Sequence, residues 1–245
     1  MHEYKHALIL PTLHATLPCL PSQELVCLGG GRTPTKDWLT QLFQQSEKGG
    51  TDRPILAIDR GVNICYALKL PPVHLIGDGD SASKAAWTWA ETQGAQVHSF
   101  PPKKDFTDTE LTLHIAAERF ARPLIILTGA FGGRLDHLMS TAAVAAHADI
   151  SCVLADECET LFYLHAGESL TVTCDTPPRA ISLLPFTEEC TGVTTHGLYW
   201  ELRDACITNR ASLAISNVLA RENTKNTFTV SIKSGVLGVY LCHKE

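Results

Sequence analysis

Between residues 24 and 148 short apolar runs alternate with stretches of helical periodicity, and few folds accommodate that alternation. ELVCLGGG (24–31) reads as a buried strand closing on a glycine turn, followed by a helix over 37–46 and a second strand, RPILAID (53–59). VHLIGD (73–78), QVHSF (96–100) and PLIILTG (123–129) are three further strands, separated by helical stretches over 82–93 and 107–121. In the latter, Leu111, Ile115, Ala116 and Phe120 recur at helical spacing, and Thr107 with Glu110 makes a capping box. Residues 132–148 read as a loop leading into a last helix. PLIILTG is apolar throughout, as a strand covered on both faces must be. The expected fold class is therefore α/β, with a mostly parallel, Rossmann-like three-layer sheet and helices on both faces.

After about residue 150 the texture changes. LFYLHAG, SLTVTC, RAISLLPF, GVTTHGLYWEL, FTVSI and VLGVYLCH are short β-rich runs broken by Pro177–Pro178, Gly192, Gly197 and Gly235. This half is expected to be an antiparallel β-sandwich. The division predicted is an α/β domain over 1–150 and a sandwich over 151–245. The first 22 residues carry no clear pattern.

Composition narrows the function classes. The 245 residues are 44% hydrophobic, and no apolar run approaches the ~20 residues that span a bilayer, so no membrane partner is expected. Net charge is −6 with no basic run that could track a phosphate backbone, which argues against nucleic acid. Nine cysteines without a CxxC pair fit reduced thiols and a cytoplasmic location. Eleven histidines form no HExxH, and no G-x-S-x-G elbow appears.

Three segments gather acids behind strands: IDRGVN (58–63), GDGDS (77–81) and KDFTD (104–108), with Asp59, Asp78, Asp80, Asp105 and Asp108. Carboxylates drawn together repel strongly at protein-like dielectric unless a cation sits among them. A hard divalent ion such as Mg²⁺ takes one or two carboxylates together with substrate phosphates, so the pattern points to phosphate chemistry. In open α/β sheets, ligands bind beyond the carboxyl ends of the strands, where all three segments lie. Each segment also has a plainer reading. GDGDS has the composition of a surface turn, and Asp at a helix start is an ordinary cap. GAFGGRLDH (129–137) adds a glycine turn able to cradle an anion and Arg134 able to fork onto phosphate, but no GK[ST] follows.

Taken in order, IDRGVN, GDGDS, KDFTDTE and GAFGGRLDH, followed by GLYW (197–200) and Ser216–Asn217, resemble the thiamine pyrophosphokinase family over roughly residues 24–243. The resemblance implies a homodimer with an α/β nucleotide-binding catalytic domain and a C-terminal thiamine-binding sandwich. It implies Mg²⁺-dependent transfer of pyrophosphate from ATP to the thiamine hydroxyl, giving thiamine diphosphate and AMP. By match to the family motifs, Asp78, Asp80 and Asp108 lie at the metal–phosphate centre with Asp59 beside them. Asp105, Lys104, Arg134, Asp136 and Asn63 line the nucleotide side, and Trp200, Ser216 and Asn217 serve thiamine. Two alternatives remain open at this point: another acceptor alcohol, such as a pterin, or a non-catalytic nucleotide- or thiamine-binding protein. The chain departs from the family pattern at Arg60, where a second glycine is usual, at Gly79, where an aromatic is usual, and at Ala214–Ile215 before the final Ser-Asn.

Overall fold

A hairpin opens the chain, β1 (His6–Leu10) against β2 (Leu13–Leu17), closed at Pro11–Thr12. The computed structural model describes residues 5–44, 53–100 and 105–244. Two compact units result: Pro21–Asp37 with Asp52–Asp156, and Met1–Leu20 with Trp38–Thr51 and Glu157–Glu245.

Along the first unit the elements alternate: β3 (Gln23–Leu28), α1 (Lys36–Gln44, which straddles the division), β4 (Ile55–Ile58), α2 (Val62–Leu68), β5 (His74–Gly77) and α3 (Lys84–Thr92). β6 (Gln96–Ser99), α4 (Asp108–Arg119), β7 (Pro123–Thr128), α5 (Leu135–Ala146) and β8 (Ser151–Ala155) complete it. The six strands form a parallel sheet in the order β8-β7-β3-β4-β5-β6. Every residue of β4, β5 and β7 is buried, which requires cover on both faces. α2 packs with α3 and α4 with α5, and both α2 and α4 touch β4. Burying side chains such as Leu56, Leu75 and Ile126 contributes about 1.5–3 kcal/mol each.

From β3 the chain steps outward through β4, β5 and β6, then returns to place β7 on the other side of β3. That reversal is the topological switch point, where doubly wound sheets hold their ligands. The glycine turns beyond the two strands meet there: Gly29 N–H donates to Thr128 O at 2.8 Å and Gly31 N–H to Gly129 O at 2.6 Å.

The second unit is antiparallel. Its strands are the hairpin and β9 (Glu159–Leu164), β10 (Ser169–Cys174), β11 (Ala180–Pro185), β12 (Glu189–His196), β13 (Ala205–Thr208), β14 (Thr227–Ser231) and β15 (Leu237–Cys242). One sheet runs β1-β2-β10-β14-β12-β13, and β11, β15 and β9 pair antiparallel in that order. Along β10 and β14 buried residues alternate with more exposed ones, the signature of one face on a core.

Some expectations shift. The first twenty residues group with the β-rich unit, not with the α/β part, because β2 pairs with β10 from Thr16–Thr171 to Leu13–Cys174. GLYW is not strand: β12 ends at His196, and Gly197 turns the chain with φ +82°. α2, β8 and β13 are additional elements.

Candidate active site

Each acid reaches the carboxyl edge of the parallel sheet through its own strand. Asp59 directly follows β4, opening a single 3-10 turn, Asp59–Gly61. Its φ of +46° is unusual for a side chain with a Cβ and costs about 1 kcal/mol or more, a strain typical of functional positions. Asp78 and Asp80 follow β5, the neighbour of β4, and Asp78 Oδ1 accepts from the Asp80 N–H at 3.1 Å. Parallel adjacency thus carries residues some twenty apart in sequence to one place.

Ligand oxygens of Asp59, Asp78 and Asp80 lie within 4.8 Å of one another. Asp59 Oδ2 accepts from the Ser81 hydroxyl, while Oδ1 is buried and has no hydrogen-bond partner among the described residues. A buried carboxylate oxygen without a donor is costly, and a cation coordinated there would satisfy it. The charge of Asp78 above all, then partial desolvation, the hydrogen bond to Asp78 and the charges of Asp59 and Asp108 push the Asp80 carboxyl above its ordinary range. Asp108 is therefore close enough for its field to reach the cluster. It is the first residue of α4, whose N-cap Thr107 accepts from the Glu110 N–H at 3.2 Å as the capping box requires. Hard oxygen ligands, mutual repulsion and an unpaired buried oxygen together suit a divalent hard cation.

The other candidates are placed as follows. Asn63 Oδ1 accepts from the Ser83 N–H at 3.0 Å, tying α2 to the N-cap of α3 just beyond GDGDS. Asp105 is exposed, three residues ahead of Asp108. Lys104 lies outside the described residues. Arg134 and Asp136 face each other at the start of α5 as a two-pronged pair, Nε to Oδ1 at 3.0 Å and Nη2 to Oδ2 at 2.5 Å. That pairing holds the Asp136 carboxyl below its usual range, and both side chains are exposed.

Trp200, Ser216 and Asn217 gather in the β-rich unit. Asn217 is buried, accepts from Trp200 N–H at 3.1 Å and Val218 N–H at 2.9 Å, and donates to Trp200 O at 2.8 Å. The Trp200 ring is 59% exposed and meets Tyr199 edge-on at 4.7 Å. Ser216, with φ +58°, has its N–H on Ser182 Oγ at 3.0 Å. An open cleft of about 800 Å³ lies beside this turn, lined by Gly197, Tyr199, Glu201, Glu222, Asn223 and Lys225 among others. Trp200, Ser216 and Asn217 are not among its lining residues.

Sequence reasoning passed over three parts of the acidic site. Ser81 sits inside the quoted GDGDS, and its hydroxyl beside two acids was an available signal. The Gly29–Gly31 turn, read as a bare turn, docks against the Gly129 turn, which only long-range pairing reveals. Trp87 of α3 lies against Gly79: a Cβ there would come within 3.2 Å of its ring, and φ is +74°. The space beside this departure is thus already filled by an aromatic from elsewhere in the chain.

Comparison with known proteins agrees with these motifs. The family model described as "Thiamin pyrophosphokinase, catalytic domain" matches residues 51–154, and "Thiamin pyrophosphokinase, vitamin B1 binding domain" matches 169–237. The chain belongs to the thiamin pyrophosphokinase family. The thiamine pyrophosphokinase of Bacillus subtilis (strain 168) is 30% identical over 195 residues, covering 77% of this chain and 88% of that protein. Crystal structures agree in fold: the thiamin pyrophosphokinase of Geobacillus thermodenitrificans at TM-score 0.74 and 27% identity covers 91% of this chain and 99% of its own. The yeast enzyme, at 14% identity, still gives a TM-score of 0.69 over 90% of this chain and 86% of its own, so the thiamin pyrophosphokinase fold persists where sequence has diverged.

Proposed function

We infer that this chain transfers a pyrophosphoryl group from ATP to the hydroxyl of thiamine, releasing AMP, with Asp59, Asp78 and Asp80 as the seat of a required Mg²⁺. The observation that carries the reading is the meeting of those three carboxylates with a buried, unpartnered Asp59 oxygen. When bound, the cation neutralises triphosphate charge and polarises the phosphorus under attack.

The chain's own groups do the rest. Asp59, Asp78 and Asp80 supply hard oxygen ligands, and Ser81 fixes the orientation of the Asp59 carboxylate. Asp108, within electrostatic reach of Asp80, is our choice to accept the alcohol proton. Arg134 and Asp105 are our choice to serve the nucleotide, Arg134 by exchanging Asp136 for phosphate, a ligand it can also fork. Asn63 acts by bracing the loop that carries Asp78 and Asp80.

Thiamine carries a cationic thiazolium. The exposed Trp200 ring offers it a cation–π face worth roughly 0.5–2 kcal/mol, and Asn217 holds that residue's backbone on both sides. Tyr199, Trp200, Leu213 and Ile215 leave large apolar side chains exposed, which supports a homodimer as the working form. Nine cysteines without a disulfide support a reducing, cytoplasmic setting, and no helix among the described residues is long and apolar enough to cross a membrane.

Incubation with ATP and Mg²⁺ tests the activity. AMP is expected only when thiamine is present, and AMP formed equally without thiamine, or with a pterin alcohol in preference, would contradict the reading.

A further inference from the structure

Arg60 occupies a position that neither the acid cluster nor the fold requires to be basic. It follows Asp59 directly, at the end of β4. Beside three carboxylates, a guanidinium is expected to form an ion pair, but Arg60 forms none among the described residues. Instead its Nε donates to the carbonyl of Gly30, in the turn beyond β3. The side chain lies flat across that turn: a Cβ on Gly30 would meet Arg60 Cγ at 2.6 Å and Nε at 2.7 Å. Arg60 is exposed, and its two terminal nitrogens have no partner among the described residues.

The sheet order gives this a direction. β4 lies between β3 and β5, so Asp78 and Asp80 approach Asp59 from one side while Arg60 reaches away on the other, toward the switch point between β3 and β7. Arg60 thus stands on the opposite side of Asp59 from Asp78 and Asp80, at the crevice where doubly wound sheets hold their ligands. Guanidinium anchored by Nε with its terminal fork open is the arrangement that recognises phosphate oxygens.

We propose that Arg60 is a catalytic residue that grips the α-phosphate of the nucleotide and stabilises it as the leaving group. In the reaction, the thiamine oxygen bonds to the β-phosphorus. The bond from that phosphorus to the α–β bridging oxygen breaks with its electron pair remaining on AMP, and the alcohol proton passes to a carboxylate. Negative charge thus grows on the α-phosphate, where a fixed cation is most effective. The proposal rests on the reading that the triphosphate lies at the acid cluster, so its test uses a ligand that needs neither the metal nor the acceptor.

Calorimetric titration of AMP without metal separates the possibilities, using wild type, Arg60→Ala and Arg60→Lys, with thermal melts to confirm folding. Loss of a charge-assisted contact predicts AMP binding about 10–100-fold weaker in Arg60→Ala, with partial recovery in Arg60→Lys. Turnover should fall in the same order. Undiminished AMP affinity in folded Arg60→Ala would overturn the proposal, as would wild type that binds no AMP, or a loss confined to Mg²⁺–pyrophosphate. Should thiamine fail as acceptor while AMP binding still depends on Arg60, the acceptor reading falls and this one stands.

Discussion

Asn217 clasps Trp200 by its backbone, accepting from its N–H at 3.1 Å and donating to its carbonyl at 2.8 Å. One buried amide thus fixes where an exposed aromatic ring stands. The same Oδ1 also takes the Val218 N–H, so the side chain satisfies three backbone groups. Asn217→Ala leaves those groups unpaired, at about 1–3 kcal/mol, and frees the ring. Both a lower melting temperature and a raised KM for thiamine are expected. By contrast Trp200→Ala, at an exposed ring, should raise that KM about 2–30-fold with little change in melting. Steady-state kinetics beside thermal melts of the two variants checks the contrast.

Repulsion within the acid cluster sets a pH dependence. The Asp80 carboxyl is raised, chiefly by Asp78. Between the unfolded and the folded pKa the native state holds more protons than the unfolded one, so in metal-free protein this group's contribution to stability falls as pH rises through that window. Asp80→Asn removes the effect. In chelator at neutral pH this variant should melt at or above wild type, whereas Mg²⁺ should raise the melting temperature of wild type more than that of the variant. Differential scanning fluorimetry with and without Mg²⁺ measures both.

Gly61 has no room for a side chain. A Cβ there would stand 1.9 Å from the Leu28 carbonyl oxygen, which belongs to β3 and cannot yield without moving the sheet. Gly61→Ala is expected to cost at least about 3 kcal/mol or to prevent folding, by overpacking against backbone. Urea unfolding, or soluble yield if the variant does not fold, reads this out.

Much of this was legible in the chain because the relevant signals are local. Runs such as PLIILTG announce strands covered on both faces, and a parallel order sets consecutive strand ends side by side, which is why Asp59 and the Asp78–Asp80 pair could be expected to meet. Thr107 and Glu110 marked the start of α4 correctly. What escaped depends on distant partners or on elements too short to show periodicity. The β1–β2 hairpin is fixed by pairing with β10, over a hundred and fifty residues away, and nothing inside the hairpin says so. α2 offers only seven residues, VNICYAL, less than the window in which a helical period emerges. GLYW has strand composition, but Gly197 sits at φ +82° and the chain turns there. The family resemblance assigns Arg134 and Asp136 to the nucleotide side, and no local motif reveals that they pair with each other.

Asn63 tests how far the loop carrying two of the acids depends on its brace. Its side chain accepts from the Ser83 N–H, twenty residues on. Asn63→Ala should lower kcat by roughly tenfold through misplacement of Asp78 and Asp80, with a stability loss of about 1 kcal/mol. Asn63→Asp, which retains an acceptor at the same place, should recover much of the stability; chemical denaturation and kinetics on both variants settle the pair.

The claim beneath all of these is that side chains from separate strands converge to bind one divalent ion. Electron paramagnetic resonance of Mn²⁺, titrated into the protein with a non-hydrolysable ATP analogue, measures this directly. Wild type should take up the ion at a saturable site, and Asp59→Asn, Asp78→Asn and Asp80→Asn should each weaken it by about tenfold or more. Uptake that is equally tight in the three folded variants would contradict the account.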